Sequence, residues 1–151
     1  MTPRRKTSRK RSAASSIARR LESAVFYLDE SIYSRVLSEA LSAAGAKVKR
    51  PGVDIPFGTQ DQEWLAIAGA KGWIVLMRDQ RVKHRALEIQ SLRDARVGAF
   101  VLTAGQATAQ WTAVVILSNL MKIVNISRSE RKPFLYTLGM SGARSKVKIR
   151  P

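Results

Sequence analysis

Cysteine is absent from the chain and histidine occurs once, at His84. Disulfide frameworks, thiolate zinc sites and multi-histidine centres are thereby excluded, so any metal must be held by oxygen. Acidic side chains are scarce: 11 Asp and Glu stand against 27 Lys and Arg, a formal net charge of +16. That imbalance weighs against a generic soluble enzyme and makes a polyanion, RNA or DNA, the natural partner. Eight of the basic residues and none of the acidic ones fall within residues 1–20, yet the remainder still carries +8, so the body of the chain is basic as well. Long apolar runs are missing too. None approaches the roughly 18 to 20 residues that span a bilayer, and the N-terminus lacks the apolar centre of a signal peptide. The expectation is a cytoplasmic chain with no membrane association.

What is present suffices for a core, since 45% of the 151 residues are hydrophobic, a size and content that fit one domain. Residues 1–22, with Arg4, Arg5, Lys6, Arg9, Lys10 and Arg11 among Ser, Thr and Ala, read as a basic disordered arm. The folded domain is expected over 23–151. Short apolar runs there alternate with segments of helical period, the pattern of a parallel sheet flanked by helices. Strands are predicted at Val25 to Leu28, Ala46 to Lys49, Trp73 to Met77, Gly98 to Leu102 and Phe134 to Leu138. Helices are predicted from Ser31 to Ala44, from a capping box of Thr59 and Gln62 to about Lys71, from Val82 to Asp94, and from a Thr108 cap to about Val124. Beyond the turn at Ser141 and Gly142, Lys146, Lys148 and Arg150 alternate with Val147 and Ile149, as an edge hairpin would. Trp64, Trp73 and Trp111 fall on apolar faces and are expected in the core.

Carboxyl ends of parallel strands form the binding crevice of such folds, so a polar residue that closes an apolar strand is a functional candidate. Asp29 closes the first strand, and Asp79 closes the third with only Arg78 between. Asp61 opens a helix that begins on the same edge, flanked by Glu63, while Glu30 flanks Asp29. Three carboxylates from distant positions can therefore converge. At 4 Å each pair repels by about 4 kcal/mol for an effective dielectric near 20, a penalty that a bound cation removes. Mg2+ or Mn2+ prefers such oxygen ligands and stabilises charge on a phosphodiester during hydrolysis. Arg78, Arg81, Lys83, His84 and Arg85 crowd around Asp79, where substrate phosphates would lie.

Three segments, Phe26 to Ser31, Asp61 to Leu65 and Gly72 to Asp79, together resemble the PIN-like domain of VapC-type toxins. The likeness extends over roughly Val25 to Ile149. Where that compact branch carries Leu-Thr-Lys-Asp, this chain has Leu76, Met77, Arg78 and Asp79. The resemblance implies a three-layer α/β/α sandwich with a mainly parallel sheet and Mg2+-dependent endoribonuclease activity. It also implies a cognate antitoxin as partner, and a homodimer is common in the class. Its acidic site falls on Asp29, Asp61 and Asp79, with Glu30 and Glu63 as helpers; Asp94 and Glu130 do not stand where a late fourth carboxylate belongs. Two other readings compete: a catalytically inactive PIN-like protein that only binds RNA, and a phospho-receiver. A receiver would need a lysine just after its last strand, whereas Lys132 precedes it.

Overall fold

The computed structural model describes residues 16–78, 85–103, 107–139 and 144–147. Six strands form one sheet in the order β2-β1-β3-β4-β5-β6: β1 (Val25–Leu28), β2 (Lys47–Lys49), β3 (Ile74–Arg78), β4 (Gly98–Leu102), β5 (Phe134–Leu138) and β6 (Arg144–Val147). The first five are parallel. β6 returns antiparallel along β5, with Lys146 opposite Tyr136, the edge hairpin that the tail pattern predicts. Helices α1 (16–23), α2 (Arg35–Ala43), α3 (Asp61–Lys71), α4 (Arg85–Ala95), α5 (Ala109–Ser118) and α6 (Leu120–Ser129) complete the described chain.

Alternate residues of each central strand enter opposite cores, as the period of two requires. Phe26, Leu28, Ile74, Leu76, Phe100 and Leu102 join Leu37, Leu41, Ile116 and Ile123 from α2, α5 and α6. Tyr27, Val75, Met77, Ala99 and Val101 join Trp64, Leu65, Ala68 and Leu92 from α3 and α4. Both faces of the sheet are thus covered, which gives a three-layer α/β/α sandwich and explains why the strands read as unbroken apolar runs. Each fully buried large apolar side chain contributes about 1.5–3 kcal/mol. Among the described residues no single helix is long and apolar enough to cross a membrane.

Several expectations need correction. Residues 16–22 were expected in the disordered arm but lie in α1, where Leu21 packs on the first core and Arg20 donates to Asn125 Oδ1 at 3.2 Å. The rest of that arm, 1–15, lies outside the described residues. α2 starts four residues late because 30–32 form a turn; Ser34 caps it, its hydroxyl accepting from Leu37 N–H at 3.0 Å. The capping box does not form. Thr59 Oγ1 donates to Pro56 O at 2.6 Å instead, and Gln60 precedes α3 without a side-chain cap. The long helix after Thr108 breaks into α5 and α6 with a 56° bend at buried Asn119, whose Nδ2 donates to Val115 O at 2.8 Å. A side-chain amide bonding a carbonyl one turn back is a recognised cause of such a kink. Trp64 and Trp73 are buried as expected, but Trp111 is 45% exposed, because α5 turns Thr112, Ala113, Val115 and Ile116 inward.

Candidate active site

The chain leaves β1 for α2 on one face and β3 for α4 on the other, so the crevice of this sheet opens between the carboxyl ends of β1 and β3. Asp29 stands at that point. Its N–H donates to Leu76 O at 3.0 Å, which extends the β1–β3 ladder by one bond. Its carbonyl accepts from Ile32 and Tyr33 N–H at 3.0 and 2.9 Å, which closes the turn. Oδ2 accepts from Ser31 N–H at 3.2 Å and from the Ser31 hydroxyl at 2.5 Å. That hydroxyl in turn accepts from Arg78 N–H at 3.0 Å. One serine therefore links the carboxylate at the end of β1 to the end of β3. Asp79, the next residue in the sequence, lies outside the described residues.

Asp61 is the first residue of α3, and its Oδ1 accepts from Trp64 Nε1 at 2.9 Å. Negative charge in a first helical turn is favoured by the helix dipole, and Asp61 and Glu63 both gain from it. Trp64 lies 5.0 Å from the Tyr27 ring, which stacks on Trp73 at 5.8 Å. Tyr27 and Trp64, but not Trp73, line a pocket of ≈ 140 Å³ together with Asp29, Glu30, Ile55 and Asp61. Three of the predicted acids thus share one pocket. Glu63 does not; it is exposed on α3 and outside the lining.

Sequence reasoning passed over Tyr27. Burial first, and then the charges of Asp29, Glu30, Asp54 and Asp61, push its hydroxyl well above its ordinary value, so it stays protonated as a donor beside the acids. The available signal was its position two residues before Asp29, which puts both on one side of the strand. Asp54 was missed as well. Its Oδ2 accepts from Arg50 N–H at 3.0 Å and Oδ1 stands 3.6 Å from Lys49 Nζ, so it braces the loop beside the pocket.

The predicted phosphate contacts fare differently. Arg78 donates to Ala107 O at 3.1 Å and to Thr112 Oγ1 at 2.7 Å, so part of its guanidinium fastens β3 to the start of α5. Arg81, Lys83 and His84 lie outside the described residues, as does the side chain of Arg85 at the head of α4. Carboxylate oxygens are the donor type that Mg2+ or Mn2+ takes, and Asp29 and Asp61 each keep one oxygen without a protein hydrogen bond among the described residues. Among those residues, however, no group of three or more acids stands close enough to hold an ion by itself. Asp94 is exposed on α4 and Glu130 accepts from the Tyr136 hydroxyl at 3.2 Å; neither lines the acidic pocket. Lys132 precedes β5, at the edge of the sheet opposite the pocket, which removes the phospho-receiver reading.

Residues 24–104, from the start of β1 to just beyond β4, match the sequence profile of a family described as PIN like domain. No curated protein and no solved structure matches the chain significantly. The matched segment spans just over half of the 151 residues and contains Asp29, Asp61 and Asp79. With its sandwich fold and its acids gathered where β1 and β3 end, the chain belongs to the PIN-like domain family.

Proposed function

We propose that this protein is a metal-dependent endoribonuclease. PIN-like domains are generally nuclease-related, and the observation that carries the finer reading is the pocket shared by Asp29, Glu30 and Asp61 at the sheet's switch point. Asp29 and Asp61, joined by Asp79, would hold Mg2+ or Mn2+, which when bound supplies a Lewis acid for the scissile phosphodiester. Ser31 fixes the Asp29 carboxylate in one orientation, and preorganisation of this kind is what makes electrostatic catalysis effective. The protonated Tyr27 hydroxyl offers a hydrogen bond to a phosphate or water oxygen in the pocket. In the reaction a water oxygen bonds to phosphorus, the bridging P–O bond breaks, and the water's protons end on solvent and on the departing hydroxyl. The +16 charge supports a nucleic-acid substrate. The VapC-type resemblance supports the further reading of a toxin neutralised by a cognate antitoxin.

Cleavage of mixed cellular RNA, with Mg2+ or Mn2+ and with EDTA, tests the proposal on the wild type and on Asp29→Asn, Asp61→Asn and Asp79→Asn. Cutting that requires metal and disappears in all three variants is the expected result. The +16 charge is equally compatible with one alternative, a PIN-like protein that binds RNA without cutting it. RNA bound by the wild type and left intact in either metal would establish that alternative.

A further inference from the structure

A second, larger cavity adjoins the acidic pocket and shares Glu30 and Pro51 with it. It measures ≈ 530 Å³ and is lined also by Tyr33, Arg50, Gly52, Val53 and Phe57. Sites for small organic ligands run to about 300–1,000 Å³, so one nucleotide unit fits. Phe57 is 74% exposed and Val53 66%, an unusual display for apolar side chains beside a polar pocket.

The loop that carries them is tied down. Asp54 N–H donates to Arg50 O at 3.0 Å while its carboxylate accepts from Arg50 N–H, Gly52 N–H donates to Ile55 O at 2.6 Å, and Ile55 is buried. Gly52 adopts φ +83°, and a Cβ there would lie 2.2 Å from the Phe57 ring. The ring therefore rests across the Gly52 backbone, in a place only glycine leaves open. Arg50 is set in the same wall: its guanidinium donates to the Tyr33 hydroxyl and lies 5.5 Å from that ring's centre. An exposed aromatic on a braced loop costs little ordering when a flat ligand lands on it.

We propose that this cavity is a nucleotide subsite, in which a base of single-stranded RNA stacks on Phe57 and Arg50 holds the adjoining phosphodiester as the strand runs on into the acidic pocket. The inference rests on the reading of that pocket as the place of cleavage. RNA is favoured over a protein partner because one wall supplies a ring and a cation together, the pairing that binds single strands. The chain's net charge and the continuity of the two cavities through Glu30 and Pro51 point the same way. Glu30 at the boundary repels phosphate but not an uncharged base, which sets the base over Phe57 and the phosphate toward Arg50.

The test uses the full chain in EDTA and a short single-stranded RNA bearing one 2-aminopurine, read by anisotropy for affinity and by fluorescence quenching for stacking. Phe57→Leu keeps an apolar side chain without the ring. It is expected to weaken binding by about fivefold or more and to abolish quenching, whereas Phe57→Tyr retains both. Arg50→Ala is expected to weaken binding and lower the salt slope by about one phosphate's worth. Wild-type affinity and quenching in Phe57→Leu would overturn the subsite. If the wild type still cuts RNA with metal in that case, the nuclease reading survives the loss. If binding depends on Phe57 but no metal yields cutting, the subsite stands and the nuclease reading falls. A Phe57→Leu protein that changes oligomeric state yet binds RNA unchanged would assign the patch to protein contact and overturn the proposal.

Discussion

Replacing Ser31 with alanine removes two bonds at once: the 2.5 Å donation to Asp29 Oδ2 and the 3.0 Å acceptance from Arg78 N–H. A hydrogen bond to a charged group contributes about 1.5–3 kcal/mol and a neutral one about 0.5–1.5 kcal/mol. Both are only part-buried, so water replaces some of the loss. A destabilisation of about 2 kcal/mol is therefore expected, and urea unfolding measures it, with an unchanged slope showing that the denatured state is not altered. The Asp29 backbone stays anchored through Leu76 O, so the variant folds and its effect on the carboxylate can be isolated. A cycle of Ser31→Ala, Asp29→Ala and the double variant then gives the coupling between the two side chains, expected at about 1–2 kcal/mol. In the RNA assay Ser31→Ala is expected to lower the cleavage rate while leaving RNA affinity near wild type, since it loosens an orienting contact rather than a binding one. Additivity within about 0.5 kcal/mol would show that the serine does not hold the aspartate, and the link between the two strand ends would be refuted.

Glu30→Gln relieves repulsion among the pocket acids, so in EDTA its urea midpoint is expected to rise slightly, with a gain that shrinks as salt is added; a lower midpoint would argue against crowding of negative charge. Tyr27 gives a pH prediction. Its hydroxyl is held above the ordinary value near 10, so the stability it contributes is fully present below about pH 10 and is lost as pH rises beyond it. Tyr27→Phe is expected to lose less stability than the wild type between about pH 9 and pH 11, and parallel curves would count against the buried, charge-flanked environment. Gly69→Ala places a Cβ 2.0 Å from Ala95 O where α3 meets α4, and a backbone atom cannot swing aside. A loss at the upper end of the roughly 1–3 kcal/mol range for overpacking is expected from denaturation, and a neutral substitution would mean that the two helices are not in contact there.

How well the sequence could be read depended on how local each cause was. Val75, Leu76 and Met77 are buried whichever face they point to, so β3 was visible as an apolar run of any phase. Asp29 was legible for the same reason: the first polar residue after such a run must emerge at the sheet edge. Two of the helix errors came from side chains choosing between two local partners. Thr59 bonded Pro56 O rather than the helix it precedes, and Asn119 bonded Val115 O and broke a segment of uniform helical period. Trp111 defeated a composition argument, because α5 is apolar nearly all round and nothing local says which side faces the sheet.

The two walls of the proposed RNA path are encoded in different ways, and this decides which of them substitution can separate. The acidic wall is a property of topology: Asp29 and Asp61 meet because β1 and α3 open onto one edge of the sheet, and only changes at those residues themselves remove it. The aromatic wall is a property of one loop closing on itself, through Gly52, Asp54 and Ile55, and none of those residues closes an apolar strand or opens a helix, the positions that mark a candidate in a sequence. Gly52→Ala consequently leaves every carboxylate in place while it displaces the Phe57 ring and strains a backbone at φ +83°. If the loop serves only to seal the core through Ile55, that variant loses stability and nothing else. If it also presents Phe57 to RNA, affinity falls at temperatures where the protein is still fully folded, and a melting curve recorded beside the binding isotherm tells the two apart.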